Sequence, residues 1–147
     1  MAANCKDAGT KPFEDLPALP KVTVTQASYQ EADIRRRVPD PVLLQSFTAA
    51  YGRKYSQDLK ERICSYILAR AAGLSLDAEE LHRCIESTGQ LRKEVIALPY
   101  LAERAKFNSV DSWIFELTWS PDSSLGHFRC YVIGAAAHDT LLFVTCR

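Results

Sequence analysis

The sequence predicts an α+β fold, with about three helices between residues 41 and 89 packed on one face of a mainly antiparallel β-sheet. The sheet is expected to draw mostly on the C-terminal third. Three observations predict this. Apolar residues recur at helical spacing through the middle of the chain. From Asp111 to Arg147 they alternate, which is the period of a strand. The two patterns stand in separate blocks rather than interleaved, and that points away from βαβ units. The expected division is an extended or disordered arm over residues 1–21, then one domain over residues 22–147.

Each element has a local cause. Pro12, Pro17 and Pro20 punctuate the arm, where Phe13 and Leu16 are the residues able to anchor in a groove. Val22 to Thr25 is β-branched and alternating, as in a short edge strand. Asp40 and Pro41 open the first helix, Asp as a cap and Pro where no N–H is needed. Its stripe is Leu43, Leu44, Phe47 and Tyr51, and Gly52 ends it as a residue tolerant of the left-handed conformation. Ser56 caps the second helix, whose face is Leu59, Ile63, Tyr66 and Ile67, with Lys60, Glu61, Arg62 and Arg70 on other faces; Gly73 stops it. Ser75 or Asp77 starts the third; with Asp77 as cap, Glu80 sits at the capping-box position, and Gly89 closes the helix.

Residues 90–107 fit either a helix or a strand. Pro99 forces a break or an edge position, and the reading adopted is a strand over Val95 to Lys106. Trp113, Phe115, Leu117 and Trp119 then alternate with Ile114, Glu116, Thr118 and Ser120. This is a half-buried strand with one aromatic face, on which Trp119 is expected to be buried with Trp113. Phe128, Cys130 and Val132 mark the next strand and Leu141 to Cys146 the last. Short connections between them imply antiparallel neighbours.

Composition excludes some functions. The chain carries 18 Lys and Arg against 18 Asp and Glu, so no global field draws it to nucleic acid or membrane. The middle is basic all the same: residues 35–106 hold thirteen Lys and Arg against nine acids. No apolar run approaches the roughly 20 residues needed to span a bilayer. The N-terminus shows no hydrophobic signal region, so a cytoplasmic protein is expected. Cys5, Cys64, Cys84, Cys130 and Cys146 are expected to be free thiols, with Cys130 and Cys146 the pair set nearly opposite by a hairpin.

No motif for catalysis, metal or cofactor emerges. His82 and Cys84 diverge on a helix, and His127 and Cys130 point to opposite faces of a strand; His138 has no neighbour at ligand spacing. No Gly-rich phosphate loop exists. Glu79 and Glu80 read as first-turn charges that suit the helix dipole. Glu116 is expected to face solvent; a buried Glu116 would mark a site.

The candidate binding residues are Arg35, Arg36, Arg37, Arg53, Lys54 and Arg62, a basic segment able to meet an acidic protein surface. The run Lys54-Tyr-Ser-Gln-Asp-Leu-Lys-Glu-Arg62, with Ala72-Gly-Leu-Ser75 after it, distantly resembles the opening of the transposase-type helix-turn-helix. That family presents small polar residues to bases on its next helix. Here that helix reads Asp77-Ala-Glu-Glu-Leu-His-Arg-Cys84, whose acids repel DNA. The favoured expectation is a non-enzymatic protein-interaction module that binds an acidic partner through its basic helical face or a sheet edge. Its alternatives are a nucleic-acid-binding regulator using residues 35–62, and a binder of a small apolar ligand under strand 113–119.

Overall fold

A computed structural model of the chain describes residues 13–146 apart from 123, with only the backbone of Cys146. In chain order the elements are β1 (Lys21–Tyr29), α1 (Glu31–Arg35), α2 (Pro41–Tyr51), α3 (Gln57–Gly73), α4 (Ala78–Ser87), β2 (Ile96–Phe107), β3 (Val110–Ser120), β4 (His127–Gly134) and β5 (Thr140–Cys146). The strands form one sheet in the order β1-β2-β3-β4-β5. β1 runs parallel to β2, and the other three pairs are antiparallel. The α+β class is the one read from the sequence, but the separate blocks do not exclude a crossover: the strand ahead of the helices returns through them to lie parallel to β2.

The caps form as local chemistry dictates. The Asp40 side chain accepts from the N–H groups of Val42 and Leu43, Ser56 from Leu59, and Asp77 from Glu80. Gly89 is left-handed, with φ +75°. Gly52 is right-handed (φ −50°), and after α3 the left-handed residue is Ser75, not Gly73. α1 lies outside the predicted helices; at five residues it is too short to show a periodicity. The ambiguous segment is strand β2, and its ladder with β3 slips between Pro99 and Leu101. A bulge there accommodates a proline that cannot donate.

β3 is buried on both sides. Trp113 and Glu116 are three residues apart in a regular stretch of ladder, so they point to opposite faces. On the Glu116 side, the backbone N–H of Asp40 at the start of α2 donates to Glu116. On the Trp113 side, Glu80 of α4 accepts from the Trp113 indole and from Arg104. The second face is thus covered as well, by α4. α1 follows β1 directly yet contacts β5 at the far edge of the sheet, so the sheet curls. Its Ile34 is fully buried.

Of the N-terminal arm, residues 1–12 lie outside the described residues. Phe13 and Leu16 are buried, as anchors should be, with Phe13 edge-on to Tyr66 at 5.5 Å. The Tyr51 hydroxyl donates to the Ala18 carbonyl and accepts from the Ala18 N–H at 3.1 Å.

Candidate functional site

Two constellations stand out, one interior and one on the surface. The interior one joins residues far apart in sequence. Glu103 on β2 and Glu116 on β3 share a face, because Glu103 pairs with Ile114, two residues from Glu116. Arg37, between α1 and α2, donates from Nε to Glu116 at 2.5 Å and from Nη2 to Glu103 at 2.9 Å. Glu103 also accepts from the hydroxyls of Thr25 (2.7 Å) and Tyr29 (2.8 Å). Both carboxylates are buried, so Glu116 does not face solvent as the alternating pattern suggested. Alternation assigns a residue to a face; it does not say that the face is wet.

One cation faces two buried carboxylates here. Burial alone would lower the Arg37 pKa, but the bonds to Glu116 and then Glu103 outweigh it and raise it. Burial would raise Glu103, and its bonds from Arg37, Thr25 and Tyr29 hold it below the ordinary carboxylate range. Burial and the charge of Glu116 push the neighbouring Tyr100 hydroxyl far up. One guanidinium binds both carboxylates. The cluster is a clip that ties the α1–α2 loop to the sheet.

Lys60 is a second buried charge. It lies off the apolar stripe of its helix, as the sequence suggests, yet is fully buried. Its Nζ donates to the carbonyls of Gln90 (2.5 Å), Arg92 (2.8 Å) and Val95 (2.6 Å). Burial lowers its pKa. This ammonium fastens the α4–β2 connection to α3.

The candidate binding residues are scattered by the fold. Arg37 is inside the clip. Arg35 pairs with Glu31 at 2.7 Å, and Arg62 with Asp15 at 2.6 Å. Arg36, Arg53 and Lys54 are exposed, the last two beside an open cleft of about 450 Å³ that Thr48 and Ser124 also line. Arg37, in the interior clip, is thus set apart from the exposed Arg36, Arg53 and Lys54. Glu80, read as a dipole charge, is engaged by Trp113 and Arg104.

The surface constellation lies at the far end of the aromatic row. Trp113, Phe115 and Leu117 are packed, at 0%, 0% and 1% exposure, so the inner part of that row is filled. Trp119 is only partly buried, because helical cover stops short of it; the expectation that it is buried like Trp113 is corrected. The Arg129 guanidinium lies over its ring, 3.7 Å from the centroid, and 5.6 Å from that of Phe143. Tyr131 stacks on Phe143 at 4.7 Å, and His127 lies 5.1 Å from Trp119. Phe143 is 44% exposed. The register puts all five on one face: Trp119 opposite His127, Phe115 opposite Tyr131, and Tyr131 opposite Phe143.

This platform adjoins an open sheet edge. β5 pairs with β4 alone among the described strands. It reads Thr140-Leu-Leu-Phe-Val-Thr-Cys146, without a charge or a proline. The other edge, β1, carries Lys21 and an irregularity between Val24 and Ser28, which discourages pairing. The sequence reading assigned aromatic residues to a core and missed the platform. The available signal was His127, Arg129 and Tyr131 alternating with the core residues Phe128, Cys130 and Val132.

Cys64, Cys84 and Cys130 are buried. Cys130 stands opposite Val144, and Cys146 opposite Phe128, so the two are a residue pair out of register rather than opposite. Cys5 and the Cys146 side chain lie outside the described residues. Among the described residues no group of His, Cys, Asp and Glu could hold a metal ion, and no helix is long and apolar enough to cross a membrane. No protein-family model, curated protein or solved structure matches the chain.

Proposed function

We propose that this protein is a non-enzymatic interaction module that binds an extended segment of a partner protein along strand β5, beside the platform of Trp119, Arg129, Tyr131 and Phe143. The observation that carries this reading is the edge itself. A seven-residue, uncharged, largely apolar edge strand is what proteins normally avoid or cover. Its outer backbone groups, unpaired with any other strand among the described residues, can pair with an added strand, and its alternate side chains can select the sequence. Trp, Tyr and Arg, which make up most of the platform, are the residue types that dominate binding energy at protein interfaces. α1 comes close to β5, and among the described residues Phe143 remains 44% exposed.

The basic helical face has less support, because Arg35, Arg37 and Arg62 are engaged by the chain's own acids. The same placement weakens the case for nucleic acid on residues 35–62. The test is selection of peptides from a displayed random library on the full chain, followed by amide hydrogen exchange with the selected peptide bound. Protection confined to Thr140–Thr145 is the expected result. Protection over residues 35–62, or no selected peptide at all, contradicts the reading.

A further inference from the structure

Four of the described arginines are partly buried: Arg37, Arg62, Arg104 and Arg129. Three of them have their own carboxylates: Arg37 has Glu103 and Glu116, Arg62 has Asp15, and Arg104 has Glu80. Arg129 has none within ion-pair distance among the described residues. Its Nε is buried without a hydrogen-bond partner, and so is Nε1 of the Trp119 indole beneath it.

A guanidinium pressed on an aromatic ring has lost part of its hydration, and its plane is fixed. Its outer edge still presents a planar fork of donors, which matches a carboxylate. A carboxylate that meets that fork makes a strong, directional, charge-assisted pair.

We propose that the segment added at β5 is acidic, and that Arg129, held between the Trp119 and Phe143 rings, receives its carboxylate. This rests on the reading of β5 as the docking edge. The register specifies the ligand further. Thr145 stands directly across from Arg129, and Phe143 directly across from Tyr131. A strand added outside β5 lies about 9.6 Å from β4, two strand spacings. A Glu opposite Thr145 on the platform side reaches the guanidinium over that short side chain. The residue two positions away on the same strand meets Phe143 and is apolar. The recognition pattern is thus a glutamate and an apolar residue separated by one residue, in extended conformation.

A second copy of this chain does not supply that chemistry. Thr140–Cys146 contains no acid, so β5 paired with itself offers Arg129 a carboxylate only from Asp139, outside the strand, and no Glu-x-apolar pattern within it. Single-stranded nucleic acid could stack on the rings, but it needs a track of positive charge, and the platform offers one arginine beside His127.

The test uses random peptides of roughly twelve residues, displayed on phage and selected on the full chain, long enough to pair with the whole edge. The expected consensus has an acid and an apolar residue two positions apart. Synthetic peptides of that consensus should bind Arg129→Gln at least about tenfold more weakly, the loss of one charge-assisted contact. A Glu-to-Gln change in the peptide should cost a similar factor. Thr145→Asp, an exposed site that supplies an internal carboxylate, should weaken the same peptides and serves if Arg129→Gln is misfolded by circular dichroism. Selected peptides that protect β5 but carry no acid, or that bind Arg129→Gln and Thr145→Asp as well as wild type, overturn this inference and leave the docking edge standing. Peptides that protect other elements overturn both. Submicromolar binding of oligo(dT) or oligo(U) that is lost in Trp119→Ala overturns the peptide assignment in favour of nucleic acid.

Discussion

Arg37 and Glu116, 79 residues apart in sequence, are joined by a 2.5 Å hydrogen bond from Nε to Oε2, and the same guanidinium holds Glu103. The Arg37 side chain is 15% exposed and the two glutamates 5% and 2%, so this is a buried ion triad. Removing the single cation leaves two buried carboxylates without compensation. Arg37→Met should therefore destabilise the fold by about 3–5 kcal/mol at neutral pH, measured by urea denaturation.

The pH dependence has a defined sign. Glu103 is held below its ordinary range in the folded protein. A carboxylate of that kind stabilises fully above its unfolded value, about 4.3, and the contribution is lost as pH falls through the folded value. Wild-type stability should decline over that acid window. In Arg37→Met the penalty should shrink on acidification, because protonation removes the uncompensated charges. A penalty that stays constant from neutral pH into the acid window is inconsistent with the clip.

The two tryptophans should respond differently to truncation. Trp113 is fully buried and hydrogen-bonded to Glu80, so Trp113→Ala should cost about 3–5 kcal/mol in the same melts. Trp119 is capped by one arginine and partly solvated, so Trp119→Ala should cost under about 2 kcal/mol. Equal losses would mean that Trp119 belongs to the core.

Lys60→Met should cost about 2–4 kcal/mol, because it strips the donor from three carbonyls at once. The loss should appear locally as faster amide exchange over residues 90–95. Unchanged exchange there would remove the role assigned to Lys60.

Much of the fold was legible because its causes are local. Asp40, Ser56 and Asp77 announce helices by accepting from N–H groups two or three residues away, and the alternation around Trp113 announces β3. The buried charges were not legible. The partners of Lys60 lie 30 to 35 residues on, and those of Arg37 66 and 79 residues on, beyond the reach of any periodicity. A run of three arginines therefore read as one patch, although Arg37 is interior. The site was half legible for a related reason. Alternation places Trp119 with Trp113, but only the packing of α4 shows where the cover ends.

The thiol of Cys84 offers a simple check on α4. Burial, followed by the charge of Glu80, pushes its pKa up to about 12, and it donates to the Gly134 carbonyl at 3.7 Å. Cys84 should resist iodoacetamide at pH 8 in the native protein and react once urea unfolds it, as peptide mass mapping would show. Rapid native labelling at this position would mean that α4 does not sit against β4.

The central claim is that binding occurs at the β5 edge and not on the basic helices. It is tested most directly by the affinity of one selected peptide, measured by fluorescence anisotropy, for two variants. Phe143→Ala removes the exposed ring of the edge, and the triple variant Arg36→Ala, Arg53→Ala, Lys54→Ala removes the exposed helical charges. Phe143→Ala should weaken binding at least about tenfold, as loss of an interface anchor does, while the triple variant should stay within about twofold of wild type. A loss confined to the triple variant would contradict the account.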